Sequence, residues 1–232
     1  EARRRGKRSI LYANGQLQER DTEFWKTQGK DLAVIQRNGV SVQQTWHKYK
    51  NAPAYEFDLG CLAAQGWYDR MLSLALQANE LGADGILFDQ LGNTGPMACY
   101  ATGHGHPTPS MVYTSDRVRL LRRIADHMKA INPEFIVMTE GLHDSVLDSI
   151  SLFHGCVLGV FPVSSGEIAE RLRTDAVSAA MPELFRYTFP EAMSTVRVPT
   201  PMLTRTMVNY TCLYGFRYEI ESRYAPDVRY LK

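Results

Sequence analysis

Two acidic residues stand where short apolar runs end, and they are the first candidates for chemistry. Asp89 closes the run Gly85-Ile86-Leu87-Phe88, and Glu140 closes the run Phe135-Ile136-Val137-Met138-Thr139. An acid at the C-terminal tip of a buried strand is how a (β/α) barrel presents catalytic groups. Cleavage of a glycosidic bond needs such a pair, one carboxylate as nucleophile or base and one carboxylic acid as proton donor. We therefore predict that Asp89 and Glu140 are the catalytic pair.

The segments before the two acids predict how they are positioned. Apolar residues at helical spacing after Trp67 predict a helix that ends at Gly82 and leads into the Asp89 strand. A second helix, with Ser115 as its N-cap, leads into the Glu140 strand. Alternating strands and helices predict an α/β fold with a parallel sheet. Acids at strand ends favour a (β/α) TIM-type barrel, and no glycine-rich nucleotide fingerprint supports a doubly wound sheet.

The remaining segments carry weaker signals. An Asn-Gly pair predicts a hairpin, which we interpret as an insertion over residues 30–46. Since only five or six barrel strands can be found, residues 1–232 are expected to be a partial barrel cut from a larger protein, whose other domains would contact this chain. The other predicted elements are a strand at Ser9–Tyr12, a helix at Asp21–Gln28 capped by Asp21, a helix at Asp144–Phe153, strands at Cys156–Phe161 and Phe185–Phe189, and a helix beginning within Met202–Tyr214.

The loop after Asp89 is long and rich in polar and aromatic side chains. Loops of this length in compact domains commonly bind ligands. Aromatic rings suit the apolar face of a sugar, while amide and imidazole groups suit its hydroxyls. From this loop and the other strand ends we predict these substrate-binding residues: Tyr12, Asn14, Trp46, Gln90, Tyr100, His104, His106 and His143.

Metal and cofactor chemistry is not indicated by the spacing of ligand-type residues. His104 and His106 flank a glycine and could converge on one ion, but no third ligand follows at a recognisable spacing. The four cysteines contain no CxxC pair, so we interpret them as incidental thiols: Cys61, Cys99, Cys156 and Cys212. We expect no metal site and no cofactor. The sequence also lacks a G-x-S-x-G elbow, a P-loop and an H-E-x-x-H pair.

Composition and charge limit the classes of partner. The chain has 232 residues, 44% of them hydrophobic, and a net charge of +1, which is typical of a globular protein. A basic run at Arg3–Arg8 is interpreted as a solvated segment or a contact with another domain, because the rest is charge-balanced, and no nucleic-acid partner is expected. No apolar stretch reaches the roughly 20 residues that cross a bilayer. We expect a cytoplasmic chain unless a leader lies outside it.

Several segments together resemble a known family. They are Leu11-Tyr12-Ala13-Asn14-Gly15, the helix after Trp67, Gly82-Ala83-Asp84-Gly85-Ile86-Leu87-Phe88-Asp89-Gln90, Met138-Thr139-Glu140-Gly141 and Leu184-Phe185-Arg186-Tyr187-Thr188-Phe189-Pro190. The chain resembles a glycoside-hydrolase-like barrel family of polysaccharide-degrading bacteria, a domain of unknown function. That resemblance implies a carbohydrate substrate and a secreted or periplasmic location.

The Asp89 and Glu140 strands are more distantly similar to the α-amylase superfamily. This similarity implies that Asp89 is the nucleophile and Glu140 the acid/base of a retaining enzyme acting on an α-linked substrate. Leu87 stands where the amylase pattern has an arginine, and the later His-Asp pair of that pattern has no clear match. The two-carboxylate arrangement is therefore implied more directly than amylase-like specificity.

Two alternative functions remain open from the residues alone. Asp89 and Glu140 could instead hold a divalent metal ion in a barrel lyase or aldolase. The chain could also be a carbohydrate-binding barrel without catalysis.

Overall fold

The computed structural model describes residues 3–47, 53–92, 94–156, 184–197, 209 and 211–219. Among the described residues before Leu184, its α-helices are α1 (Glu23–Thr27), α2 (Gln65–Glu80) and α3 (Ser115–Ile131), beside short 3-10 turns at Arg3–Arg5, Gly29–Leu32 and Asp144–Val146. Its strands are β1 (Ile10–Asn14), β2 (Leu17–Glu19), β3 (Gln43–Trp46), β4 (Tyr55–Leu59), β5 (Gly85–Asp89), β6 (Ala98–Cys99), β7 (Ser110–Met111), β8 (Ile136–Glu140), β9 (Leu152–Cys156), β10 (Ser194–Arg197) and β11 (Arg217–Glu219).

A six-stranded parallel sheet is the centre of the fold. Its strand order is β1-β5-β8-β9-β10-β11, and each pair of neighbours runs in the same direction. Helix α2 leads into β5, and α3 connects β5 to β8. The predicted α/β class is therefore confirmed, and the strands that carry Asp89 and Glu140 are neighbours.

The two long helices form because each presents an apolar stripe. In α2 the buried residues Trp67, Met71, Ala75 and Ala78 recur at helical spacing. Gly82 follows with a φ of 79°, the left-handed conformation that ends helices. The predicted helix and its stop are confirmed. Within the described residues, no helix is long and apolar enough to cross a membrane.

The helices cover one face of the parallel sheet. Alternate strand residues Ile86, Phe88 and Val137 pack into the same core cluster as α2 and α3. Successive side chains of a strand point to opposite faces, so Leu87 and Asp89 belong to the other face. The acids thus lie on the face that these helices leave uncovered.

A separate antiparallel sheet has the order β2-β4-β3. The predicted hairpin forms, because the amide of Gly39 donates to the carbonyl of Gln36 at 3.0 Å and Ile35 pairs with Ser41. Gly39 has a φ of 81°, as the tight turn requires. Beyond the turn, β3 pairs with β4 instead of joining the parallel sheet.

Helix α1 is shorter than predicted and has another N-cap. It spans Glu23–Thr27, and Thr22 Oγ1 accepts the amide of Trp25 at 3.2 Å, so the cap is Thr22 and not Asp21. Similarly, α3 begins at Ser115, which makes Thr114 its N-cap position.

Predictions after Glu140 are corrected in two places. Residues 184–188 are helical and not a strand, because Phe185 and Phe189 are four residues apart and their rings pack with centroids 5.1 Å apart. The predicted helix at Asp144–Phe153 shrinks to the 3-10 turn Asp144–Val146, since β9 already begins at Leu152. Residues 157–161 lie outside the described residues. In the range 202–214, residues 209 and 211–213 are helical.

Candidate active site

Asp89 and Glu140 end two neighbouring parallel strands. The pairing of strands β5 and β8 ends at Phe88 and Thr139, and the two acids are the next residues of these strands. Thr139 is fully buried and its hydroxyl donates to the carbonyl of Phe88 at 3.1 Å, which fixes the two strand ends relative to each other. Adjacent strands are about 4.8 Å apart, and the two acids share the face opposite Phe88 and Thr139.

Tyr12 binds the carboxylate of Asp89 directly. Its hydroxyl donates a hydrogen bond of 2.6 Å to Oδ2 of Asp89 from the neighbouring strand β1. Partial burial and this hydrogen bond raise the pKa of Tyr12 to about 12. The hydroxyl therefore stays protonated at neutral pH and remains a donor to the carboxylate.

Asn14 and Gln90 belong to a polar network beside Asp89. Asn14 Oδ1 accepts the amides of Gln16 and Leu17, at 3.0 and 2.7 Å, and so closes the turn after β1. Gln90 Oε1 accepts from Asn14 Nδ2 at 3.3 Å and from Gln16 Nε2 at 3.0 Å. Gln90 has a φ of 62°, a conformation that costs energy for a residue with a Cβ and is common at functional sites.

Two residues that the sequence analysis did not select extend the polar strand ends. His154 on β9 pairs in register with Glu140, and its Nδ1 lies 2.9 Å from Glu219 Oε1 on β11. Thr195 on β10 donates its hydroxyl to the same carboxylate. The polar row, Tyr12, Asp89, Glu140, His154 and Glu219, thus crosses the parallel sheet. The predicted strand began at Cys156, whereas β9 begins at Leu152. A predicted start at Leu152 would have placed His154 in this strand.

His143 contacts protein atoms through both ring nitrogens. Its Nε2 accepts a hydrogen bond of 2.6 Å from Arg117 Nη2, and its Nδ1 lies 2.7 Å from Ser145 Oγ. Burial and the neighbouring Arg117 charge lower the pKa of His143. His143 therefore holds its place as a neutral ring between these two residues.

The buried Arg117 fixes the loop after Asp89. Its Nη1 donates to the carbonyls of Leu91, Gly92 and Thr94, at 3.3, 3.4 and 2.9 Å. A cavity of about 600 Å³ opens between this loop and the segment after β8, with Arg117 and His143 in its wall. Asp89 and Glu140 do not line this cavity.

The other predicted substrate-binding residues lie elsewhere. Trp46 is on β3 in the antiparallel sheet, half-exposed, and donates to Gln44. Tyr100 lies next to the hairpin, since its amide donates to the carbonyl of Ile35 at 2.8 Å. His104 and His106 contact Cys99 and Cys61. A role for these four residues in substrate binding stays a prediction. Cys61 and Cys99, which we interpreted as incidental thiols, each contact one of the two histidines.

The family of the chain follows from its sequence profile. The profile of a domain of unknown function, DUF6259, matches residues 1–194. The chain belongs to the DUF6259 family. A protein of Bacteroides thetaiotaomicron named "Putative glycoside hydrolase" is 32% identical over 98 residues, which are 41% of this chain and 14% of that protein. The chain therefore corresponds to a small part of that relative's length.

Two solved structures with a similar fold are named as glycoside hydrolases. An α-galactosidase from Thermus thermophilus, in complex with p-nitrophenyl α-D-galactopyranoside, has a TM-score of 0.58 at 15% identity over 95% of this chain and 45% of its own. An α-amylase from Lactobacillus plantarum has a TM-score of 0.55 at 11% identity, over 96% of this chain and 52% of its own. The DUF6259 chain therefore has a glycoside-hydrolase-like α/β fold and spans about half of these enzymes.

Proposed function

We propose that this DUF6259 chain is the catalytic part of a glycoside hydrolase with a (β/α) TIM-type barrel fold. In this proposal Asp89 is the nucleophile and Glu140 the general acid/base. One observation carries it: the two acids end neighbouring parallel strands at the same level. Acids at the C-terminal ends of such strands are where barrel enzymes place their catalytic groups.

The proposed reaction has two steps, and in each step one bond to the anomeric carbon forms while another breaks. In the first step a carboxylate oxygen of Asp89 attacks the anomeric carbon, the glycosidic C–O bond breaks, and Glu140 gives its proton to the leaving oxygen. In the second step the Glu140 carboxylate removes a proton from water. The water oxygen attacks the same carbon and the ester to Asp89 breaks. Two inversions retain the configuration of the sugar.

Retention is supported by the spacing of the strands. Retaining glycosidases hold their carboxyl groups about 5 to 5.5 Å apart, whereas inverting enzymes need roughly 6.5 to 9.5 Å for an intervening water. Neighbouring strands about 4.8 Å apart favour the shorter separation. The stereochemistry of the product is the decisive measurement.

Tyr12 would position the nucleophile in this mechanism. Its hydroxyl fixes one oxygen of Asp89 at 2.6 Å, which leaves the other oxygen to face a sugar. The donor also stabilises the negative charge that Asp89 needs for attack. Asn14 and Gln90 would offer their amide groups to sugar hydroxyls at the same strand ends.

An α-linked oligosaccharide or polysaccharide is the proposed substrate. The similarity of the Asp89 and Glu140 strands to the α-amylase superfamily supports an α-linkage. Two of the structures with a similar fold, an α-galactosidase and an α-amylase, are named for α-linked sugars. The exposed ring of Tyr12 offers an aromatic surface next to the nucleophile.

The test compares Asp89→Asn and Glu140→Gln in the full-length protein that contains this chain. A panel of activated aryl α- and β-glycosides identifies the sugar with the wild-type protein first. We expect each variant to lower turnover by about 10² to 10⁴. Matched controls are Asp126→Asn and Glu80→Gln, which change exposed acids on the helices. These should keep wild-type turnover.

Azide separates the two roles. In Glu140→Gln an activated substrate can still form the glycosyl ester with Asp89, and azide needs no base to attack it. Azide should therefore restore turnover and give a glycosyl azide with the configuration of the substrate, while Asp89→Asn should not respond. Full activity of either variant would overturn the assignment. Sugar binding without any turnover by the wild-type protein would favour a non-catalytic barrel.

A further inference from the structure

The loop that follows Asp89 contains a cluster of side chains that the proposed hydrolysis does not use. Cys99, His104 and His106 come from this loop, and Cys61 lies just before α2. One ligand atom from each of the four residues lies within 4.8 Å of the other three. Two sulfurs and two imidazole nitrogens are the ligand set of a tetrahedral zinc site.

The distances in the cluster match those around a single metal ion. Cys61 Sγ lies 3.4 Å from His106 Nε2, and Cys99 Sγ lies 3.6 Å from His104 Nδ1. With Zn–S bonds of about 2.3 Å and Zn–N bonds of about 2.0 to 2.1 Å, the sulfur and nitrogen ligands of a tetrahedron are about 3.6 Å apart. These two sulfur–nitrogen pairs are therefore already at the separation that zinc needs, and all four ligand atoms lie within 4.8 Å of one another.

Both imidazole rings are oriented for metal binding. His104 Nε2 lies 2.9 Å from the carbonyl oxygen of Asp31, and His106 Nδ1 lies 2.7 Å from that of Pro107. Because a carbonyl only accepts, these two nitrogens carry the protons. The other nitrogen of each ring then presents its lone pair towards a cysteine sulfur. Metal-binding histidines commonly have this second hydrogen bond to a carbonyl.

The sulfurs are placed as metal-binding thiolates are. Cys61 and Cys99 are fully buried, and both are free of disulfide bonds. The amide of Ile35 donates to Cys99 Sγ at 3.5 Å. Amide donors of this kind stabilise a thiolate and orient it towards a metal.

We propose that Cys61, Cys99, His104 and His106 bind one zinc ion, which holds the loop after Asp89 against the segment before α2. Sulfur and nitrogen ligands in a tetrahedron favour zinc among the common divalent ions. A two-iron cluster with two cysteines and two histidines would place the sulfurs on one iron and the nitrogens on the other. Here each sulfur is paired with a nitrogen, which fits a single ion.

The zinc site is structural, because four protein ligands close a tetrahedral ion to water and substrate. The loop at residues 90–114 has little regular structure among its described residues, namely β6 and β7. A metal cross-link therefore supplies order that the backbone hydrogen bonds of this loop do not. The zinc ion would order this loop whether or not Asp89 is a nucleophile, because none of its four ligands takes part in the proposed hydrolysis.

Metal analysis of the full-length protein tests the site directly. Protein expressed with added zinc, kept reduced and desalted, should contain one zinc ion per chain. Cobalt exchanged into the same protein should give the visible bands of tetrahedral Co²⁺ and a thiolate-to-metal charge-transfer band. Chelator removal of the metal should lower the melting temperature, and added ZnCl₂ should restore it. These measurements need no substrate.

Ligand variants with matched controls identify the residues. Cys99→Ser and His106→Gln should each weaken zinc affinity by at least about 100-fold and remove the charge-transfer band or change it. Cys212→Ser and His127→Gln, which change an exposed cysteine and an exposed histidine outside the cluster, should keep both zinc and spectrum. Cobalt binding by the wild-type protein decides the question if a ligand variant does not fold.

Three results would overturn the proposal. The first is wild-type protein that takes up neither zinc nor cobalt after reduction. The second is full zinc content in both Cys99→Ser and His106→Gln. The third is a Cys61–Cys99 disulfide, detected by mass spectrometry, in protein purified with zinc present.

Discussion

The hydroxyl of Tyr12 donates a 2.6 Å hydrogen bond to Oδ2 of Asp89, across neighbouring parallel strands. Tyr12 is two residues before the end of β1, while Asp89 is the last residue of β5. The bond therefore depends on the length of the tyrosine side chain, which reaches along the uncovered face of the sheet to the strand end. A proton donor fixed to the proposed nucleophile is the most specific interaction at this site.

Tyr12→Phe should reduce catalysis without unfolding the protein. The substitution keeps the ring and removes the donor to a charged acceptor, an interaction worth about 1.5 to 3 kcal/mol. We expect kcat/KM to fall by about 10- to 100-fold. The free energy of unfolding should fall by less than the full value of this interaction, because Tyr12 is 65% exposed and solvent screens the bond. Tyr187→Phe is the control, since Tyr187 is 88% exposed on the 184–188 helix. Equal kinetics of the two variants would contradict a role for the hydroxyl.

Alkaline unfolding provides a second readout of the same bond. The pKa of Tyr12 is raised to about 12 from an ordinary value of 10.0. The stabilisation that this reflects is complete below the ordinary pKa and is lost as pH rises through the folded pKa. The wild-type protein should therefore lose more stability than Tyr12→Phe between about pH 10 and 12. Parallel stability curves for the two proteins would contradict both the burial and the hydrogen bond to Asp89 that raise this pKa.

The arrangement of Asp89 and Glu140 could be predicted from the sequence because local signals agree there. Apolar runs, helical spacing before each run and a glycine stop all indicate the same strand-helix order. The alternation Tyr55-Glu56-Phe57-Asp58-Leu59 equally indicates β4, which was not among the predicted strands. That omission is an error of interpretation and not a limit of the sequence.

The helix at residues 184–188 and the cysteine-histidine cluster were not predicted from the sequence, and the two reasons differ. Five residues with bulky side chains fit either a strand or a helix, and the packing of Phe185 on Phe153 and Phe189 selects the helix. In the cluster, Cys61 and Cys99 are distant in sequence and no spacing rule joins them. Only the fold places β6 and its loop next to the start of α2.

His143 should make the stability of the protein sensitive to acid. Burial and the charge of Arg117 lower its pKa, so the unfolded chain binds a proton more readily than the folded one. Stability is then present above the ordinary histidine pKa and is lost as pH falls below it. His143→Gln keeps an oxygen that can accept from Arg117 but cannot titrate. This variant should lose less stability than the wild-type protein between about pH 7 and 5.

His127→Gln is the control for this acid effect. His127 is an exposed histidine on α3, and its replacement removes an imidazole without changing the contacts of His143. Chemical denaturation at each pH measures the free energy of unfolding. The prediction fails if His143→Gln and His127→Gln have the same slope as the wild-type protein.

Gly92 couples the loop after Asp89 to the strand end that carries Glu140. A Cβ atom at Gly92 would lie 2.0 Å from the carbonyl oxygen of Glu140 and 2.9 Å from Thr139 Oγ1. The first atom is backbone, so it cannot rotate away as a flexible side chain can. Gly92→Ala must therefore move either the loop or the end of β8, and with it the position of Glu140 relative to Asp89.

We expect Gly92→Ala to lower the free energy of unfolding by about 1 to 3 kcal/mol, the usual cost of overpacking. Catalysis should fall further, by about 10²-fold in kcat/KM, because a shift of about 1 Å in a catalytic group has that effect. Gly95→Ala is the matched control, since a Cβ atom there has no neighbour within 4 Å. It should change stability by no more than about 0.5 kcal/mol. If both alanine variants had wild-type kcat/KM, the close approach of this loop to Glu140 would not govern the position of the acid.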